Sequence, residues 1–480
     1  MPSILLLIGL LLLIGLPRAH SRTLNVGPDR QYTLPSQAAS AAMDGDTILI
    51  DAGEYADATR WQANNLLIRG VGGYAHVRDR TYGRKAIWVI QGNNTTVEWI
   101  EFSGARVPDN NGAGIRQEGT NLTLRHCYFH HNEMGILTNN DPASHIVIEY
   151  CHFASNGYGD GYSHNMYINH VGRFTLRYSY SHDAVIGHNV KSRAHENFIL
   201  YNRLDQADGG NTSREIDLPN GGLAVIVGNI LDHGPNTDNS NLIGFGMEGF
   251  SNPRATIVVA NNTFLTARGA GGFVTLPQSG TDTVRIINNI FAGRATMLTG
   301  SAAVIDTAAN LIVRDIAEAG FRDRASRDYH LTPFSPAIDA GADPGAIDEF
   351  SLQPAHEYVH PAGSRPRIDA PPLDLGAYEY ESATGTHSPP SVPSALMMEH
   401  IYPQPARKDI FIQFALREST ELHISLHSLD GRRLLTLPPT HYSTGRHTRR
   451  IALPALPPGV YLFFLHADGV IRTHRMLYMR

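Results

Sequence analysis

A short β-rich phrase recurs along much of the chain. Its eight copies, 23 to 33 residues apart, end at Phe102, Phe129, Phe153, Ser181, Leu204, Leu231, Phe264 and Phe291. A step this short cannot hold a strand, a crossover helix and their loops. Gly, Asn and Asp crowd the gaps between copies, as tight turns require. The pattern therefore predicts a solenoid in which each coil contains several short strands.

The third residue from the end of each phrase tests this register. Along the chain the position holds Ile100, Cys127, Cys151, Ser179, Asn202, Asn229, Asn262 and Asn289. Asparagines in successive coils would stack and hydrogen-bond along the solenoid at the ~4.8 Å strand spacing. A simple preference of asparagine for turns is the alternative. Cys127 and Cys151 fall in adjacent coils, where either a disulfide or two buried thiols would fit.

Two segments at the ends of this region are similar to known proteins. Residues 23–73 contain LPSQAASAAMDGDTILIDAGEY and NLLIRGVGG, while residues 335–345 and 374–381 read SPAIDAGADPG and DLGAYEYE. They resemble the cap and the closing segment of pectate-lyase-like right-handed parallel β-helix proteins, over about residues 22–381. The resemblance implies an all-β scaffold that handles long polysaccharides. It leaves the chemistry open, because lyases, hydrolases, epimerases and adhesins share this scaffold.

The N-terminus predicts export. Residues 1–21 contain an apolar run from Ile4 to Leu16 that is shorter than the ~20 residues of a membrane span. Ala19-His20-Ser21 then gives a small-x-small cleavage pattern. We expect a signal peptide, with an uncleaved anchor as the alternative, and no membrane span after processing.

The C-terminal part predicts a second domain. Residues 382–396 are rich in Ser, Thr and Pro and predict a linker, and residues 397–480 predict a small antiparallel β-sandwich. YPQPARKDIFIQF, LHSLDGRRLLTL and LPPGVYLFFLHADG resemble the C-terminal sorting domain of the type IX secretion system. The resemblance implies a secreted or cell-surface protein whose partner is that secretion machinery. A carbohydrate-binding sandwich is the alternative.

Composition narrows the choice of ligand. The 480 residues carry a formal net charge of -6, which argues against nucleic acid as a partner because phosphates are bound by basic surfaces. An acidic polysaccharide would need a local cluster of cations. No segment has the spacing of a zinc site, a P-loop or a dinucleotide fold. No cofactor is certain, although Asp and Asn in DGDT, NNDP and GADPG could bind Ca²⁺.

The densest polar stretch, residues 158–222, holds the candidate site. SHNMYIN (163–169) and GHNVKSR (187–193) align 24 residues apart, and REIDLPNGG (214–222) follows in the next coil. This spacing predicts Tyr167, Lys191 and Asp217 one above another. Strand alternation predicts an outward face made of Asn165, Tyr167, Asn169, Asn189, Lys191, Arg193, Glu215 and Asp217. His164 and His188 would point inward, unless they lie at a turn and face a groove.

These residue types fit β-elimination on a uronic acid polymer, which needs a neutralised carboxylate, a base and an acid. We predict Lys191 as the base and Arg193 as the partner of the carboxylate. Tyr167 or His188 would be the acid, and Asp217 would orient Lys191 or hold a cation. The predicted substrate-binding residues are Asn165, Asn189, His164, Glu215 and Glu248.

Three other interpretations stay open. A hydrolase would use paired carboxylates, Asp217 with Glu215 or Glu248. A non-catalytic adhesin would only bind polysaccharide. Lys191, Arg193, Glu215 and Asp217 could also form a surface salt-bridge ladder that stabilises the stack.

Overall fold

The computed structural model describes residues 21–206, 210–368, 371–381, 396–402, 406, 408–416, 419–428, 432–467 and 470–478. The chain divides into two compact units, Met1–Ser382 and Ala383–Arg480. The predicted signal peptide and linker lie outside the described residues, except for Ser21 and Leu396. In the described part, no helix is long and apolar enough to cross a bilayer.

One sheet of the first unit, called here the first sheet, stacks ten short strands. Paired strands run parallel and in register, so equivalent side chains of successive coils form columns. The strands are Thr59–Trp61, Ala86–Ile90, Ala113–Gln117, Met134–Leu137, Met166–Ile168, Val190–Ser192, Ile216–Leu218, Asn241–Phe245, Gly272–Thr275 and Thr296–Thr299.

A 21-stranded sheet forms the rest of the coils in two parallel rows. Row A contains Thr23–Val26, Thr47–Tyr55, Leu67–Arg78, Thr95–Glu98, Leu122–Arg125, His145–Glu149, Arg173–Arg177, Glu196–Leu200, Gly222–Val227, Ala255–Ala260, Thr283–Ile287 and Val304–Ala308. Row B contains Ile100–Ser103, Tyr128–His130, His152–Ala154, Tyr180–His182, Arg203–Asp205, Ile230–His233, Thr263–Thr266, Ile290–Ala292 and Leu311–Val313. Thr47–Tyr55 and Leu67–Arg78 extend into row B. The predicted parallel solenoid is confirmed.

The bend between the two rows uses left-handed backbone. In five successive coils it is occupied by non-glycine residues with φ of 51° to 58°. Their rings stack with centroids 4.5 to 5.8 Å apart. A left-handed non-glycine residue costs about 1–2 kcal/mol, which stacking worth ~0.5–1.5 kcal/mol per pair partly offsets. The five residues are Trp99, His126, Tyr150, Tyr178 and Tyr201.

The predicted asparagine ladder lies just inside this bend. Each side-chain amide donates to the side-chain oxygen of the next asparagine at 2.9 to 3.0 Å. The ladder satisfies buried polar groups and joins one coil to the next, so it favours a single stacking register. It runs one coil further than predicted, through Asn202, Asn229, Asn262, Asn289 and Asn310.

Columns of apolar side chains fill the interior. Phe102, Phe129 and Phe153 stack with ring centroids 4.7 to 4.9 Å apart. Burying each ring stabilises the stack by roughly 1.5–3 kcal/mol. Cys127 and Cys151 lie in the column of the asparagines as buried free thiols, one of the two forms that the sequence left open.

Other elements pack at the two ends of the stack. The helix Pro35–Ala41 buries Ala38 against the first coils. After the last coil come the 3₁₀ helix Ile316–Ala319 and three antiparallel pairs, and Tyr329 and Tyr358 of this segment pack in one cluster with Tyr180 of row B. The pairs are Phe321–Asp323 with Asp328–Leu331, Ala346–Ile347 with Phe350–Ser351, and His356–Val359 with Gly363–Pro366.

The second unit has two antiparallel sheets around its own core, as predicted. Alternation buries Ile412, Phe414 and Phe463. One sheet contains Leu396–Tyr402, Asp409–Leu416 and Gly445–Ala452. The other contains Thr420–Ser428, Arg433–Thr436, Thr440–Tyr442, Gly459–Ala467 and Val470–Tyr478.

Candidate functional site

The predicted column is present on the outward face of the first sheet. Tyr167 pairs in register with Lys191, and Lys191 pairs in register with Asp217, on three successive strands. The neighbouring Val190 and Ile216 are fully buried, so alternation turns the column away from the core. The register on which the site prediction depends is therefore confirmed.

Lys191 lies between two carboxylates. Its Nζ is 3.5 Å from Oδ2 of Asp217 and donates to Oε1 of Glu248 at 3.1 Å. The same nitrogen is 5.8 Å from the centroid of the Tyr167 ring. These three neighbours hold the amine at one point above the sheet.

Asp217 is the buried anchor of the cluster. Its Oδ1 accepts a hydrogen bond from Nη1 of Arg214 at 2.7 Å, and its Oδ2 is 3.5 Å from Nε2 of His188. A carboxylate this buried needs a paired cation, and Arg214 supplies one that is independent of Lys191. Asp217 is thus placed to orient Lys191, one of its two predicted roles.

Arg193 connects three groups beside the column. Its Nε donates to the hydroxyl of Tyr167 at 2.9 Å, and its Nη1 donates to Oδ1 of Asn220. Its Nη2 donates to Oε2 of Glu248 at 2.7 Å. Because the phenol oxygen of Tyr167 accepts from Arg193, its own hydrogen remains available for donation.

Glu248 bridges the two cations from a loop just after the strand Asn241–Phe245. Its backbone N–H donates to the carbonyl of Pro219 at 2.9 Å. Its side chain is 48% exposed, against 12% for Lys191 and 16% for Arg193. Burial alone would raise the pKa of Glu248. The hydrogen bond from Arg193 and the charge of Lys191 outweigh burial and hold that pKa below its usual value. Two largely buried cations therefore share one exposed carboxylate.

His164 and His188 form a buried stack beside the column, with ring centroids 4.8 Å apart. Nδ1 of His188 accepts from the backbone N–H of Arg214 at 3.1 Å, and Nδ1 of His164 accepts from that of His188 at 3.0 Å. Each neutral ring therefore carries its hydrogen on Nε2. Burial, reinforced by nearby cations such as Lys191, lowers the pKa of both rings. Their inward placement fits the prediction, and Tyr167 is the better placed of the two predicted acids.

Three residues predicted to face outward are fully buried: Asn165, Asn189 and Glu215. Asn165 donates to Asn189 at 2.9 Å, Asn189 donates to Glu215, and Oε1 of Glu215 is 3.1 Å from Nδ1 of His233. The three lie at the turn before each strand, where strand alternation does not apply, and their side chains point into the coil. Their predicted outward placement is wrong, and His164 is buried as well. The role of these four residues in binding substrate stays a prediction.

Comparison with known proteins agrees with this architecture. Residues 55–228 match the family model described as the right handed beta helix region, and residues 400–478 match the secretion system C-terminal sorting domain. The chain is a right-handed parallel β-helix protein with a C-terminal sorting domain. That domain makes it a protein exported through the type IX secretion machinery, either secreted or held at the cell surface.

A solved structure also resembles the β-helix protein. The structure, described as the crystal structure of pectate lyase Pel9A, is 15% identical in sequence, with a TM-score of 0.49. The match covers 75% of this chain and 97% of that chain. No curated protein matches the chain.

Two residues of the cluster in the β-helix protein have no role in the sequence-based prediction. Arg214 and Asn220 flank Asp217 within REIDLPNGG and bind Asp217 and Arg193, respectively. Their polar side chains, and their position in the same coil as Asp217, are the features of the sequence that could have indicated them. Strand alternation does not predict the conformation of the turns that direct them toward the column.

The segments considered for calcium have other partners. Asp46 of DGDT pairs with Arg22 at 2.5 Å. Asp141 of NNDP accepts from the backbone N–H of Ala143, and Asp343 of GADPG from that of Gly345. These contacts are ion pairs and local turns, and calcium binding by the β-helix protein stays a prediction.

Proposed function

We propose that this exported β-helix protein is a lyase that cleaves an acidic polysaccharide at a uronate by β-elimination on the first sheet. The observation that supports it best is the carboxylate of Glu248, held by Lys191 and Arg193 at 3.1 and 2.7 Å. A uronate carboxylate has the same charge and shape and fits the same two donors. Because Glu248 lies in an exposed loop, its side chain can turn into water when a substrate arrives.

With a substrate carboxylate in that position, each residue has a distinct task. Arg193 neutralises the carboxylate, which makes the proton on the adjacent carbon easier to remove. Lys191, after its ammonium has released a proton, accepts the substrate proton. The electrons of the broken C–H bond form the new double bond, and the bond to the leaving oxygen breaks. Tyr167 donates its hydroxyl hydrogen to that oxygen, while Asp217 keeps Lys191 in place.

A hydrolase built on paired carboxylates has less support in this cluster. Glu215 is fully buried, and burial raises its pKa. Asp217 is buried as well and is bound to Arg214. Glu248 is therefore the one candidate carboxylate of the three with a substantially exposed side chain, and hydrolysis by this mechanism needs two.

The test is a screen of the exported protein against alginate, pectate and chondroitin, with a neutral polysaccharide as control. We expect ultraviolet absorbance from an unsaturated uronate product with at least one acidic polymer and none with the neutral one. New reducing ends without that absorbance would show a hydrolase. Binding without either product would show an adhesin. The hydrolase result and the adhesin result would each contradict the proposal.

A further inference from the structure

Row B carries a second polar cluster, on a different sheet of the coil from the candidate site. His76, Glu101 and His130 come from three successive coils. His76 and Glu101 are in register, and His130 lies on the next strand, two positions beyond Tyr128, which pairs with Glu101. All three are outward positions of the row, and each side chain is 16 to 21% exposed. The cluster is thus sheltered but open to small solutes.

The three side chains converge on one point. Nε2 of His130 is 2.9 Å from Oε1 of Glu101, and Nε2 of His76 is 3.6 Å from the same oxygen. The three donor atoms lie within 4.8 Å of one another, and they form the only such group of three among the residues that the structure describes. Ligands of a tetrahedral zinc ion, each ~2.0–2.2 Å from the metal, are roughly 3.3 Å apart. Small side-chain rotations therefore suffice to enclose an ion.

A neighbouring contact orients one ligand. Nδ1 of His130 is 2.9 Å from Nδ1 of His131, so one of these two nitrogens carries the hydrogen between them. When His130 is the donor, the lone pair of its Nε2 faces the carboxylate of Glu101. In that tautomer Nε2 of His130 and Oε1 of Glu101 are both acceptors, and either a proton or a metal ion can join them. An outer partner that fixes a ligating histidine in this way is a regular feature of metal sites.

We propose that His76, Glu101 and His130 bind a divalent first-row transition metal, with zinc as the expected ion. Two imidazole nitrogens and one carboxylate oxygen suit Zn²⁺, whereas Ca²⁺ takes about six to eight oxygen ligands. Three protein ligands leave a fourth position for water or a further ligand. This site is independent of the proposed lyase activity.

Short zinc motifs could not reveal this site. Its ligands are 25 and 29 residues apart, one coil per step, so the stacking of coils replaces local spacing. The expectation that the chain has no zinc-site spacing holds for local motifs only.

The test is calorimetric titration of the tag-free, metal-free full chain with Zn²⁺ and, in parallel, with Ca²⁺. We expect one equivalent of Zn²⁺ to bind, with Ca²⁺ at least about 100-fold weaker. His130→Gln and Glu101→Gln should each weaken Zn²⁺ binding by more than about tenfold. His145→Gln, at an exposed histidine of row A, is the matched control and should leave the affinity unchanged.

Co²⁺ gives a second measurement that does not depend on stability. The wild type should show the visible absorption of tetrahedral Co²⁺, and Glu101→Gln, which keeps the side-chain volume, should lose it while its thermal transition is retained. Unaltered Zn²⁺ affinity in both cluster variants would overturn the proposal. Loss of binding in His182→Gln instead would also overturn it, because Nε2 of His182 lies 2.8 Å from that of His152 and the ion would then belong to that pair.

Discussion

Row A and the first sheet both carry stacked charges, and they differ in burial. In row A the arginines of the ladder are 42 to 45% exposed, and on the first sheet the cations are 12 to 16% exposed. The carboxylates of row A are only 5 to 11% exposed, but their arginines reach water, which screens the pairs and limits each to about 0–1 kcal/mol. Charges removed from water interact more strongly with any anion that reaches them. The row A ladder is Arg69, Glu98, Arg125, Glu149 and Arg177.

The two faces also differ in the origin of their carboxylates. In row A every carboxylate of the ladder comes from a strand of the stack, and on the first sheet Glu248 comes from an exposed loop. Cavity volume does not identify the site, because a depression of ≈ 590 Å³ lies over row A beside Arg173 and Arg177, and a larger one of ≈ 980 Å³ lies elsewhere beside Thr266 and Arg268. Burial of the cations and an exchangeable partner, not volume, therefore distinguish a candidate binding site from a stabilising ladder.

The largest expected effect is the loss of lyase activity on replacing Lys191, a buried cation of the first sheet. Lys191→Ala removes the proposed base and should reduce lyase activity by about 10²–10⁴-fold. The thermal transition should stay nearly unchanged, because Arg214 still pairs with Asp217 at 2.7 Å. Initial rates and calorimetry of the variant give both numbers, with Arg125→Ala in row A as the control. Retained activity, or a collapse in stability, would refute the catalytic assignment.

The next effect isolates the hydroxyl of Tyr167. Tyr167→Phe keeps the ring near Lys191 and Arg193 and removes the proposed proton donor. We expect kcat to fall by about 10²-fold with little change in KM. Steady-state kinetics on the polymer found by the screen measure both. An unchanged kcat would exclude Tyr167 as the acid and return that role to His188.

A smaller effect tests whether Glu248 occupies the substrate position. Glu248→Gln removes a competing anion, so KM should fall about fivefold, equivalent to the ~1 kcal/mol of a partly exposed ion pair, with kcat unchanged. Because the pKa of Glu248 is lowered, the difference from wild type should persist at neutral pH and disappear only in acid, where Glu248 is protonated. A collapse of kcat would instead show that Glu248 takes part in the chemistry.

The smallest effect belongs to row A. Glu149→Gln weakens its pairing with Arg125 and Arg177 and should lower the free energy of unfolding by about 0.5–1 kcal/mol, with activity unchanged. Burial alone would raise the pKa of Glu149, but the hydrogen bonds from both arginines outweigh burial and lower it. Its contribution is therefore present above the unfolded-state pKa of about 4.3 and is lost as the pH falls through the folded-state value. Denaturant unfolding at neutral and acid pH measures both effects, and reduced activity at full stability would contradict the structural role.

Much of the fold and one column of the site could be predicted from sequence. The 24-residue spacing of Tyr167 and Lys191 placed them in register because coils of nearly constant length stack strand on strand. The asparagine column was visible for the same reason. Periodicity is thus a sound guide to which residues lie above one another.

Orientation at turns could not be predicted in the same way. Asn189 and Glu215 come before their strands, and the backbone there turns their side chains into the coil. Glu248 reaches Lys191 across 57 residues, through a loop whose path depends on tertiary contacts. Alternation holds inside a strand and fails at its ends, and the wrong assignments lie at those ends.

The most direct test of the account is a crystal structure of the Lys191→Ala variant with a bound uronate oligosaccharide taken from the polymer that the screen identifies. We expect a substrate carboxylate on the guanidinium of Arg193, with the side chain of Glu248 displaced and a glycosidic oxygen near the hydroxyl of Tyr167. An oligosaccharide bound along row A, with Glu248 still on Arg193, would contradict it.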